Sequence, residues 1–79
     1  MRINENKVDD ATLALLWLVM EKDRYGVRAW KSFDWETMNR LHEKGFISDP
    51  KGKAKSVAVT EEGEKRAKEL FEQIFGLPD

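Results

Sequence analysis

The chain runs Asp34-Trp35-Glu36-Thr37-Met38-Asn39-Arg40-Leu41-His42-Glu43-Lys44-Gly45-Phe46-Ile47, then Ser48-Asp49-Pro50-Lys51-Gly52-Lys53, then, past Ala54, Lys55-Ser56-Val57-Ala58-Val59-Thr60-Glu61-Glu62-Gly63. Asp34 stands where a helix takes its N-cap, and Gly45 stands at the usual stop position about ten residues later. Trp35, Met38, Leu41 and His42 share one face of that helix. Glycine accepts the left-handed conformation that closes a helix, so the chain turns sharply into Phe46-Ile47. The next six residues are turn formers, and Lys55 to Thr60 has strand composition, which together predict a hairpin with Lys51 and Lys53 at its tip. Thr60 then caps a new helix that carries Glu61, Glu62 and Glu64 in its first turn, at the positive end of the helix dipole.

Working outward, Ala67, Leu70, Phe71, Ile74 and Phe75 make a continuous stripe of helical period that ends at Gly76 and Pro78. At the other end, Val8 to about Glu21 reads as a helix opened by Asp9 or Asp10. Its interior from Ala11 to Met20 is apolar on nearly every face, so it must be covered on more than one side. Either its own domain wraps it or a second subunit does. Residues 22–33 read as a linker with embedded aromatics and a turn at Gly26. The remainder of that linker is a short strand with Val27, Ala29 and Lys31 on one side, or a helical turn around Ala29 to Phe33. The expected order is helix, linker, helix, hairpin, helix in one domain over 1–79: a helix-rich α+β fold.

Composition sets limits on this fold. A domain of 79 residues buries only about 60% of the surface its unfolded chain exposes. There is no cysteine, hence no disulfide or thiolate metal site, and a zinc ion on the single histidine, His42, would need three carboxylates around it. No metal and no cofactor are expected. Fourteen basic side chains stand against 15 acidic ones, but unevenly. Segments 21–33 and 46–60 each carry a net +2 and segment 61–79 a net −3. The apolar run Leu13 to Met20 is far short of the roughly 20 residues that span a bilayer, and no signal-peptide pattern precedes it. A cytoplasmic protein without membrane attachment is the expectation.

The phrase Leu41-His42-Glu43-Lys44-Gly45-Phe46-Ile47, the basic hairpin and Val57-Ala58-Val59-Thr60-Glu61-Glu62-Gly63 resemble the second half of a winged-helix domain. The similarity is to bacterial regulators of the multiple-antibiotic-resistance and phenolic-acid-repressor types, and covers about Asp34 to Phe75. The whole chain also resembles a family of small uncharacterised bacterial proteins, through Ala29-Trp30-Lys31-Ser32-Phe33-Asp34-Trp35 and the Arg40 to Pro50 stretch. The first resemblance implies that the helix before Gly45 enters a DNA groove and that basic residues of the wing meet phosphate. Two features differ from it. Glu21 to Phe33 leaves little room for an intervening helix, and the recognition helix begins Asp34-Trp35-Glu36, which the DNA backbone would repel.

The candidate nucleic-acid contacts are Lys51, Lys53 and Lys55, with Arg28, Lys31 and Arg40 near them; alternatively these lysines are solvated turn residues that protect a strand edge. Tyr25, Trp30, Phe33 and Trp35 either close a small core or, exposed, stack bases or anchor a partner. His42 reads as a packed or capping residue, because Glu43 points about 100° away around the helix and cannot orient it as a base. No nucleophile stands beside a base, and the chain is not expected to be an enzyme. Packing of the first and last helices against a symmetry mate, through Leu13, Leu16, Trp17, Met20, Leu70, Phe71, Ile74 and Phe75, would make a homodimer. The leading expectation is a regulator-like module that binds duplex DNA weakly through its basic wing. The competing one is a homodimeric protein-binding module that uses Tyr25, Trp30 and Trp35 and binds no nucleic acid.

Overall fold

The computed structural model describes residues 1–78. Helix α1 spans Glu5–Leu16, and its N-cap is Asn4, whose side-chain oxygen accepts from the Lys7 N–H at 3.1 Å. It therefore starts before the aspartates expected to open it. Asn4 and Glu5 supply the cap and the first-turn acid, which frees Asp9 to turn inward one turn later. After Leu16 the chain tightens into a single 3₁₀ turn, Trp17–Val19, and Met20 is extended. The helix does not reach Glu21.

The segment read as a linker forms two strands. Strands β1 (Glu21–Asp23) and β2 (Gly26–Trp30) are an antiparallel hairpin with Asp23 opposite Gly26. Its tip is held by Asp23, which accepts from the Tyr25 N–H at 2.7 Å, and by Gly26, whose φ of +129° is closed to most side chains. Helix α2 is Trp35–Glu43, capped by Asp34 as expected. Gly45, at φ +83°, ends it with bonds from its own N–H to the His42 carbonyl and from Phe46 N–H to the Leu41 carbonyl. This is the pairing of the Schellman motif.

Strand β3 is Ser56–Val59, one residue shorter at each end than expected, and α3 is Glu61–Phe75. The expected hairpin partner, Ile47, contributes only an isolated bridge to Val59. The main partner of β3 is β2, with Val27 opposite Val59 and Ala29 opposite Val57. The result is a three-stranded antiparallel sheet in the order β1-β2-β3 beside three helices, a small α+β fold.

Alternation then divides the sheet into two faces. Val27, Ala29, Val57 and Val59 are buried and meet Leu13, Ala14 and Leu16 of α1, Met38 and Leu41 of α2, and Ala67 and Leu70 of α3. Each such leucine adds about 1.5–3 kcal/mol on burial. Arg28, Trp30, Ser56 and Ala58 lie on the other face, which no helix covers completely: Arg28 and Trp30 are exposed, Ser56 and Ala58 half-buried.

One joint closes the molecule. The Thr60 N–H donates to the Phe46 carbonyl at 3.0 Å, its hydroxyl donates to the Gly45 carbonyl at 2.7 Å, and its oxygen caps α3 by accepting from Gly63 N–H at 2.9 Å. Gly63 packs against this turn so closely that a Cβ on it would lie 2.1 Å from the Phe46 carbonyl oxygen. The spacing of threonine, two acids and glycine thus has a local cause: the hydroxyl ties the helix to the turn, and the glycine leaves room for it.

Candidate functional site

The six cations singled out in the sequence divide into structural and free groups. Arg40 is half-buried and committed to partners in its own domain. Its Nε donates to both Asp9 oxygens at 2.9 and 3.1 Å, one terminal nitrogen meets Glu5 at 3.0 Å, and the other meets the Thr37 hydroxyl at 3.1 Å. Lys44, one turn along α2, reaches Asp9 at 2.8 Å. Asp9 is 1% exposed. Its carboxylate is satisfied by two cations from one helix face, and Asp9 keeps the Arg40 guanidinium protonated beyond its ordinary range. Arg40 is therefore a strut between α1 and α2 rather than a phosphate contact.

Lys31 is a clamp. Its half-buried ammonium donates to the Pro50 carbonyl at 2.8 Å and the Gly52 carbonyl at 2.7 Å, and its own N–H donates to the Lys55 carbonyl at 3.2 Å. With Pro50 buried and Asp49 accepting from Lys51 N–H at 2.9 Å, the loop from 48 to 55 is held at several points. Lys31 is thus not a free phosphate contact either. Arg28 lies between the two groups: Nε and one terminal nitrogen bond Ser56, both at 2.9 Å, while the residue remains exposed. The guanidinium is fixed in place with its other terminal nitrogen uncommitted.

Lys51, Lys53 and Lys55 are exposed, and no acidic partner for them occurs among the described residues. They project from the loop that Lys31 anchors. Lys55 also borders a cleft of about 170 Å³ on the open sheet face, lined by Val19, Glu21, Arg28, Ala29, Trp30 and Ser56 as well.

Trp30 is 53% exposed, and so is Trp35; Tyr25 is more exposed still. None of the three closes a core. They are not one surface, because Tyr25 sits at the hairpin tip with the Arg24 guanidinium over its ring, and Trp35 starts α2. Trp30 alone stands in the basic cleft.

His42 closes a turn: Nδ1 lies 3.0 Å from the Ile47 carbonyl, an acceptor, so the proton resides on that nitrogen. Asp34 accepts from the Thr37 hydroxyl at 2.8 Å and the Thr37 N–H at 3.1 Å, and these bonds, the hydroxyl first, hold its carboxyl below the usual carboxylate range. Among the described residues, no group of three His, Asp or Glu side chains is placed to hold a metal ion, and no helix is long and apolar enough to cross a membrane.

The expected dimer face breaks up. Leu13, Leu16 and Leu70 are buried within their own domain, where α2, α3 and the sheet cover α1, and cannot meet a symmetry mate. Trp17, Met20 and Phe71 are half-buried against the same core. Ile74 and Phe75 remain exposed, with Phe75 against Phe71 at 5.2 Å between ring centres, and Leu15, Leu18 and Val19 are exposed on the other flank.

Sequence reasoning did not reach Asp9, Glu21 or Ser56. The signal for Asp9 was the spacing of Arg40 and Lys44, four residues apart on one helix face and both needing an acid.

The model of a family described as a domain of unknown function (DUF6429) matches residues 4–77. The uncharacterized protein y4hR of Sinorhizobium fredii (strain NBRC 101917 / NGR234) is 53% identical over 75 residues, which cover 95% of this chain and 97% of that protein. No solved structure matches the chain significantly.

Proposed function

The chain belongs to the DUF6429 family, and we propose that it is a small regulator-like module that binds nucleic acid through Lys51, Lys53 and Lys55 and the adjoining Arg28. One observation carries this reading: three lysines with no acidic partner among the described residues project from a loop that the half-buried ammonium of Lys31 holds in place. Solvated turn lysines need no such anchoring. Kinship to winged-helix regulators is part of the proposal and rests on the Gly45-to-Gly63 joint and the basic loop. The contact differs from theirs, because Arg40 and Lys44 are committed to Asp9 and α2 offers solvent Glu36 and Glu43. The working part is then the wing loop and not the recognition helix. This is a binding role and not a catalytic one, exercised in the cytoplasm.

Three or four phosphate contacts predict an affinity that falls roughly 20- to 150-fold between about 50 and 200 mM salt. Anisotropy titrations of labelled oligonucleotides at the two salt concentrations measure it. The paired substitutions Lys51→Glu and Lys53→Glu are expected to abolish binding; binding unchanged by them, or none at low salt, would end the proposal. A second reading, a homodimeric protein-binding module, draws on the exposed Leu18, Val19, Ile74 and Phe75. Light scattering at micromolar concentration decides it, since a monomeric mass excludes the dimer.

A further inference from the structure

We infer that the cleft around Trp30 on the open sheet face is a stacking site for an unpaired base, so that the nucleic acid bound is single-stranded. The inference rests on the proposed nucleic-acid reading and specifies its ligand. Ala29, beside Trp30 in sequence, points into the core, while Trp30 is on the opposite face of the sheet, paired in register with Ser56 and sharing a cleft with Val19, and is left half in solvent. An exposed indole on a sheet face is a sequence-tolerant platform for a base.

The surroundings match a nucleotide and not merely a ring. The cleft, about 170 Å³ in volume, is open to solvent, so a flat base can reach the exposed indole from outside. Arg28 and Lys55 line it, and the two bonds to Ser56 fix the guanidinium beside the indole. Cations beside a stacking ring are the arrangement that tracks a phosphate backbone. The one acid in the lining, Glu21, paired in register with Arg28, is an acceptor suited to an exocyclic amino group. From this cleft Lys55 leads along the chain to Lys53 and Lys51, a path for successive phosphates.

A duplex fits less well. Its bases are stacked on one another and offer no free face to Trp30, and the element that would enter a groove, α2, carries exposed Glu36 and Glu43.

The test compares a labelled single strand of about 15 nucleotides, rich in adenine and cytosine, with a duplex of equal length, at about 50 mM salt, for the unmodified protein, Trp30→Ala, Trp30→Phe and the Lys51→Glu/Lys53→Glu pair, each checked for folding by circular dichroism. The expected result is single-strand binding at least about tenfold tighter than duplex binding, with quenching of tryptophan emission. Trp30→Ala should then lose about 5- to 150-fold in single-strand affinity, Trp30→Phe should keep most of it, and the lysine pair should weaken both ligands. Equal or tighter duplex binding, or a folded Trp30→Ala that binds the single strand unchanged, overturns the stacking site while leaving the lysine loop in place. No binding of either ligand overturns both readings. A dimer in light scattering that Trp30→Ala dissociates, without oligonucleotide binding, makes Trp30 a protein contact and overturns the inference. If Trp30→Ala does not fold, the emission of a folded Trp35→Phe variant decides: quenching by the single strand that persists there supports the site, and its loss overturns it.

Discussion

Replacing Gly63 with alanine sets two physical effects against each other. Gly63 lies in the first turn of α3, and inside a helix alanine is favoured over glycine by about 1 kcal/mol. Propensity alone therefore predicts a more stable protein. The joint predicts the reverse. The new Cβ would stand 2.1 Å from the Phe46 carbonyl oxygen, 2.9 Å from its carbon and 3.0 Å from its Cα, all backbone atoms that cannot rotate away. Relief requires the start of α3 and the turn after α2 to part by about 1 Å, since real Cβ contacts do not fall below 3.0 Å. That separation stretches the bonds from Thr60 N–H to the Phe46 carbonyl and from the Thr60 hydroxyl to the Gly45 carbonyl. At about 1 kcal/mol each, with a further 1 kcal/mol or so for overpacking, the loss is about 3 kcal/mol against a gain of about 1. A net destabilisation of about 2 kcal/mol lowers the melting temperature of a domain this size by roughly 8–16 °C. Thermal and urea unfolding followed by circular dichroism measure it, with Gly52→Ala as control, since nothing lies within 4 Å of a Cβ there and its φ is not positive. A Gly63→Ala protein as stable as the original, or more so, would refute the reasoning.

Arg40→Met leaves the buried Asp9 carboxylate with Lys44 alone and should lower the urea midpoint, whereas replacing Asp9, Arg40 and Lys44 together with apolar residues of similar size should recover most of the loss; a triple variant weaker than the single one counts against the strut. Asp34 has a folded pKa below its unfolded value of about 3.9, so its contribution is present above that value and disappears as pH falls through the lower folded one. The gap in urea midpoint between the original and Asp34→Ala should accordingly be constant from pH 7 to about 5 and narrow as acid is added below the unfolded pKa, and a gap that does not narrow at all on acidification would remove the carboxylate from the explanation. Lys31→Met should speed amide exchange and proteolysis between residues 48 and 55 without changing the core, as seen by hydrogen exchange; unchanged protection there would show that Lys31 does not anchor the loop.

What could be read from the sequence depended on how local its cause is. Asp34, Gly45 and Thr60 act on backbone groups within five residues of themselves, or need a φ that only glycine supplies readily, so α2 and the start of α3 were legible. The alternation of Val27 and Ala29 was visible, but a strand needs a partner, and theirs is Val57 to Val59, about thirty residues on. Asp9 looked like a helix cap because aspartate at a helix start is common. Only the arrival of Arg40 and Lys44 from another helix makes it an interior residue. The lysines of the loop were identifiable as a group, whereas the commitment of Lys31 and Arg40 to carbonyls and carboxylates depends on tertiary distances that composition does not carry.

The joint at Gly45, Phe46, Thr60 and Gly63 also makes the chain between its two sides a closed ring, fastened at the base by backbone bonds. Extra length inserted at the outer end of such a ring costs only the slow logarithmic growth of closure entropy, about 0.6 kcal/mol for each doubling. Residues 53 and 54, exposed and between the Gly52 and Lys55 carbonyls that Lys31 holds, are thus the place where foreign sequence can be carried on this scaffold, its charge and reach altered while the three helices and the sheet stay as they are.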